Sequence, residues 1–71
     1  MFSLTSILDL LPVVGKGVAA LPQFKQVYDQ IVSTFHEKDQ AVLREAYADL
    51  MADNDEGHAR LQAKLDEAAK R

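Results

Sequence analysis

Leu43, Tyr47, Leu50, Asn54, His58, Leu61, Leu65 and Ala68 follow one another at steps of four, three, four, four, three, four and three residues. Side chains at that spacing share one face of an α-helix; a half-buried strand repeats every two residues instead. Around this seam the chain from Asp39 to Arg71 is rich in Ala, Leu, Glu, Lys, Gln and Arg, all good helix formers. Glu56 with Arg60, Asp66 with Lys70 and Glu67 with Arg71 add acid-before-base pairs four residues apart. The second half of the chain is therefore committed to helix, and the expected fold class is all-α.

The first half repeats the pattern in two shorter pieces. Leu4, Ile7, Leu8 and Leu11 fall on one helical face behind Ser3, a good N-cap residue, and Pro12 sits where such a helix should end. This predicts a short helix of about two turns. Val13 and Val14 lead into Gly15-Lys16-Gly17, a loose joint. Leu21, Phe24, Tyr28, Ile31 and Phe35 then form a second stripe, widened by Val27 and Val32, which predicts a helix over about residues 18–36. His36-Glu-Lys-Asp39 reads as a turn, with Asp39 as the N-cap of a long helix over about 39–70.

One element remains open. Asp53-Asn-Asp-Glu-Gly57 could break the long helix, since Asp53 with Glu56 imitates a capping box and Gly57 disfavours helix by about 1 kcal/mol. An unbroken, bent helix is the expectation taken. The architecture is then a single domain over 1–71, made of an apolar segment (1–21) and a helical hairpin (22–71). In that hairpin Phe24, Tyr28, Ile31 and Phe35 pack antiparallel on Val42, Leu43, Tyr47 and Leu50.

Charge and apolar residues divide unequally along the chain. Residues 1–36 hold 19 of the 34 hydrophobic residues and only four charges, Asp9, Lys16, Lys25 and Asp29; residues 37–71 hold the rest and account for the whole net charge of −3. Without cysteine the chain has neither disulfides nor thiolate metal ligands. Chains this short bury only about 60% of their unfolded surface, so association with a partner is a natural supplement. That reasoning marks Phe2, Leu4, Ile7, Leu8, Leu11, Val13, Val14, Val18 and Leu21 as candidate interface residues.

The chemical motifs are thin. The Asp53–Gly57 run fails the calcium-loop pattern, because its glycine is fifth rather than sixth and position twelve is Lys64. Gly15-Lys16-Gly17 lacks both the strand and the Ser/Thr that a phosphate loop needs. His36 and His58 lie in different elements, and His58 falls on the seam as a polar register position rather than a metal ligand. The expectation is a non-enzymatic protein with no catalytic, cofactor or metal site. Net negative charge argues against a nucleic-acid partner held by phosphate contacts. Glu45, Asp49, Asp53 and Glu56 share a helix face and form a candidate acidic surface, which as a docking site would suit a basic host protein that the chain inhibits or regulates. Residues 7–21 have too few basic residues for an interfacial membrane helix, so a membrane role is secondary.

The stretch Phe35-His-Glu-Lys-Asp-Gln-Ala-Val-Leu-Arg-Glu-Ala-Tyr-Ala-Asp-Leu50, with Asp55-Glu-Gly-His-Ala-Arg-Leu-Gln-Ala-Lys-Leu65, resembles small helical proteins encoded by bacteriophages and prophages. In these an apolar N-terminal part precedes a turn and a long charged helix. The resemblance implies a virion component, or a lysis-cassette membrane accessory as the alternative. Its expected place is the virion or the bacterial host cytoplasm, or the membrane periphery for the lysis reading. The partners expected are proteins, through self-association or a larger assembly.

Overall fold

A computed structural model describes residues 3–70 of the chain. Among them are four α-helices and no strand: α1 (Leu4–Ala19), α2 (Pro22–Val32), α3 (Glu37–Ala52) and α4 (Asp55–Ala69). The all-α expectation holds; the two-helix hairpin with one long C-terminal helix does not.

The long helix is divided at Asp53. That residue takes the left-handed conformation (φ 51°, ψ 45°) and closes α3, while the Asn54 side chain accepts the Gly57 N–H at 2.7 Å and opens α4. Asp and Asn tolerate these two roles at low cost because their short polar side chains bond locally. The cap therefore lies one residue later than the imitation capping box suggests. What decides for the break is burial: folding α4 back on α3 covers Leu43, Ala46 and Leu50 with Leu61 and Ala68, apolar surface that a single extended helix would leave in water. Gly57 is buried at this crossing.

α1 is longer than two turns. Ser3 caps it by accepting the Ser6 N–H at 3.1 Å. Pro12 lies inside it, because Ile7, Leu8 and Leu11 are buried on one side of the proline and Val14 packs on the same core beyond it. The interruption comes at Gly15 (φ 79°, ψ 168°), in a region essentially closed to residues with a Cβ. No atom would obstruct a methyl group there, so Gly15→Ala is a test of backbone strain alone. We expect it to lower stability by about 1–2 kcal/mol in chemical denaturation. Gly17→Ala, also unobstructed but without a positive φ, should be neutral or slightly stabilising.

α2 is shorter than the stripe suggests. Pro22 occupies its first turn, where the missing N–H is harmless, and leaves residues 18–21 to the end of α1 and the connection. Its last carbonyls are taken by the Ser33 and Thr34 hydroxyls, which donate to Gln30 and Ile31 at 2.7 Å each, and this ends the helix before Phe35. α3 then starts at Glu37, with His36 rather than Asp39 at its cap position; Gln40 Nε2 donates back to the Phe35 carbonyl at 2.8 Å. Glu37 and Asp39 fall in the first turn, where the helix dipole favours them.

α3 is the central helix and touches the other three. α2 lies antiparallel on it, as the sequence pattern indicates. Tyr28 donates to the Leu43 carbonyl at 2.6 Å, and Phe24 stacks on Tyr47. α1 crosses α3 and α4 together: Thr5 Oγ1 lies 3.4 Å from the Ala68 carbonyl, and the Tyr47 hydroxyl donates to the Ala19 carbonyl at the other end. Ile7, Leu8, Leu11, Ala19, Tyr28, Val32, Leu43, Ala46, Leu50, Leu61 and Ala68 make one core.

Candidate functional site

Three features of this fold could do chemistry or make contacts. The first is a charge cluster in the α3–α4 crossing. Asp49 is only 5% exposed, since it faces α4 from the last full turn of α3. Arg60 and Lys64, one turn apart on α4, both reach it: Arg60 Nε lies 2.9 Å from Oδ1 and Lys64 Nζ lies 2.6 Å from Oδ2. Burial pushes the carboxyl up, and the hydrogen bonds and charges of Lys64 and Arg60 outweigh it, so Asp49 sits below its ordinary range and stays ionised. Arg60 also approaches Glu56 at 3.8 Å. A carboxylate held this firmly by two cations is neither a general base nor a nucleophile. Its role is to fix the crossing.

The second is an aromatic group on the other side of α3. Phe24, Tyr28 and Tyr47 stack with ring centroids 5.3–6.5 Å apart. Burial raises the Tyr28 phenol well above its ordinary range against the opposing influence of Arg44, so it remains a donor to Leu43. Both tyrosine hydroxyls are spent on backbone carbonyls, and the group is structural.

The third is surface. Among the described residues the large apolar side chains left exposed are Leu10, Val13, Val18, Leu21 and Val27, all in α1, α2 and their connection; Val13 is 83% exposed. Beside the start of α1 runs a groove of about 280 Å³, lined by Leu4, Leu8 and Val42 on one side and by Arg60, Ala63, Lys64, Glu67 and Ala68 of α4 on the other.

The candidate interface residues divide accordingly. Val13, Val18 and Leu21 are exposed, and Leu4 and Val14 are half-buried. Ile7, Leu8 and Leu11 are the core of the domain itself, a correction to their reading as interface residues. A folded hairpin of α3 and α4 offers two helices, not one, to cover them. Phe2 lies outside the described residues. Leu10 is an exposed apolar position that the stripe-based reading passed over, and Val27, counted in the second stripe beside Val32, is exposed while Val32 is buried.

The candidate acidic surface is not one. Asp49 is buried and paired. Asp53 sits in the turn beside Lys16 at 3.7 Å and His58 at 3.4 Å, and Glu56 leans toward Arg60, while Glu45 is exposed. The four share a face only on an unbroken helix, and the turn at 53–54 sends Glu56 to another one. His58 is an exposed partner of Asp53 rather than a partly buried register position. Arg60 and Lys64 escaped the sequence reading for the same reason: only a chain reversal at Asp53 brings them to Asp49.

Among the described residues no three His, Asp or Glu side chains are placed to hold a metal ion, and no helix is long and apolar enough to cross a membrane. No protein-family model matches the chain, and no curated protein or solved structure matches it.

Proposed function

We propose that this chain is a non-enzymatic structural or adaptor protein that acts in many copies, making its contacts through the exposed apolar side chains of α1, α2 and their connection. One observation carries the reading. Leu10, Val13, Val18, Leu21 and Val27 all lie between residues 10 and 27, whereas the large apolar residues of α3 and α4 are turned into the fold. Scattered exposed apolar residues are ordinary; their confinement to one part of a chain this small is the mark of a contact face. The likeness of residues 35–50 and 55–65 to small helical phage proteins makes a phage particle, or the cytoplasm of its bacterial host, the setting we favour.

The experiment is sedimentation of the full chain over a concentration series. Wild type should sediment above monomer mass as concentration rises, and Val13→Glu combined with Val18→Glu should return it to monomer with unchanged helix content. A folded wild-type monomer up to the highest soluble concentration overturns the proposal. A lipid surface is the alternative occupant of the same face, with Lys16 and Lys25 beside the apolar residues and Asp9 and Asp29 opposing them. Flotation with neutral and anionic vesicles separates the two, since co-flotation lost in the same double variant would assign the face to lipid.

A further inference from the structure

Gly15 divides α1 into two halves that are held to the fold in different ways. Its backbone (φ 79°, ψ 168°) interrupts the helix between Leu4 and Ala19. The half after it is tied by directional contacts: the Tyr47 hydroxyl donates to the Ala19 carbonyl, and Lys16 lies 3.7 Å from Asp53. The half before it is held by apolar burial and by a long contact of 3.4 Å from Thr5 Oγ1 to the Ala68 carbonyl. That half supplies Ile7, Leu8 and Leu11, three of the five largest fully buried side chains, and its seat is built by α3 and α4. We propose that Gly15 is a hinge about which residues 4–14 leave their own α3 and α4 and dock on those of a second copy, in exchange for the same residues of that copy. Such an exchange is how the copies of the multi-copy reading above would meet, and it rests on that reading.

The seat itself selects the occupant. A surface shaped around Ile7, Leu8 and Leu11 is filled equally well by the same side chains of an identical chain. Apolar burial is non-directional, so the exchange regains what it gives up. Nothing packs against Gly15 within 4 Å of where a Cβ would lie, so no neighbour holds the hinge in its present form. Turning it to right-handed helical values joins the halves into one straight helix and redirects residues 4–14 away from their own core. Val13 and Val18 flank the hinge, with Leu10 before them and Leu21 after, and all four are exposed. In the exchanged pair the two hinges run side by side, and these side chains of one copy cover those of the other. Reciprocal exchange fills both seats and closes at two copies.

Because the seats are equally full in monomer and pair, the balance between them lies in the hinge and in the new contact beside it. Gly15→Ala acts on the hinge alone. Alanine disfavours φ 79° and favours helical values, so it penalises the closed monomer and supports the straightened, exchanged form.

The test compares wild type and Gly15→Ala by sedimentation equilibrium, with helix content followed by circular dichroism. Gly15→Ala should dimerise about tenfold more tightly or better, since two hinges are relieved in each pair. A second measurement needs no variant: isotope-filtered NMR on dimers refolded from a mixture of 13C-labelled and unlabelled wild type. Contacts of Ile7 and Leu11 with α3 and α4 should then run between copies. If dimers form but these contacts stay within one copy, the exchange is wrong and the multi-copy reading stands. A Gly15→Ala protein that dimerises less than wild type also overturns the hinge. Monomers in both proteins at every soluble concentration remove both readings.

Discussion

Gly57→Ala should destabilise this protein by about 2 kcal/mol, although alanine is the better helix former by about 1 kcal/mol. A Cβ built on Gly57 would lie 2.6 Å from the Asp49 carbonyl oxygen, 3.1 Å from Asn54 Oδ1 and 3.2 Å from the Ala52 Cβ. The first of these is backbone of α3 and cannot rotate away, so α4 must shift along the whole crossing. That shift would loosen the Asn54 cap, which holds the Gly57 N–H, and lengthen the Asp49 contacts with Arg60 and Lys64. For a domain of this size the expected fall in Tm is roughly 10 °C. Thermal and urea denaturation of Gly57→Ala beside wild type checks it. An unchanged or raised Tm would mean that α3 and α4 do not approach this closely.

Asp49→Ala should lower stability by about 2–3 kcal/mol at neutral pH. Removing the carboxylate leaves the largely covered Lys64 ammonium without its counter-ion, and breaking a buried pair by deleting one partner typically loses about 3–5 kcal/mol. The lower figure applies because Arg60 is half-exposed and regains water. The same group governs acid stability. Its folded pKa lies below the ordinary value of 3.8, so the folded state favours the ionised form. The stabilisation is complete above about pH 5, where the carboxyl is ionised in both states. It is lost progressively as pH falls below about 5 and through the folded pKa. Asp49→Asn should therefore be less stable than wild type at pH 7 and should close much of that gap by pH 2. Denaturation midpoints of the two proteins across pH 7 to 2 measure this, and a gap that stays constant with pH would show that Asp49 acts by shape rather than charge.

Both predictions concern the turn at Asp53–Asn54, which is also where sequence and structure part. The residues there carry the signals of a helix end: a capping side chain at Asn54, a residue tolerant of the left-handed conformation at Asp53, and a glycine in the next turn. The seam through Leu50, Asn54, His58 and Leu61 runs straight across them at helical spacing. Local pattern supports a bent helix and a hairpin nearly alike. Burial of Leu61 and Ala68 against Leu43, Ala46 and Leu50 decides between them, and burial is a property of the folded chain. The acidic surface failed with the unbroken helix that defined it.

The apolar N-terminal segment was legible in kind and misjudged in extent. Leu4, Ile7, Leu8 and Leu11 were evident as one helical face, with Ser3 as its cap, and the structure has both. What remained hidden is that a four-helix domain covers Ile7, Leu8 and Leu11 by itself, so the exposed apolar surface moves to the far side of the same helix, at Leu10 and Val13. The pairing of α2 with α3 was readable because Phe24, Tyr28 and Tyr47 recur at helical spacing on both sides of a short turn, and stacked aromatics need little more than that to find one another.

By itself the sequence determined that this protein is all-α, that Ser3 opens the first helix, and that the chain turns back after a second helix. It put that helix over about 18–36 and the turn at 36–39, where the structure has Pro22–Val32 and a turn at 33–36. These are local matters, set by side-chain spacing, caps and proline within a few residues. Tertiary structure alone decided that the charged C-terminal half folds on itself, that Asp49 is enclosed by Arg60 and Lys64, and which apolar residues of α1 remain outside. Those outcomes depend on which surfaces find cover, and cover is supplied by residues ten to sixty positions away.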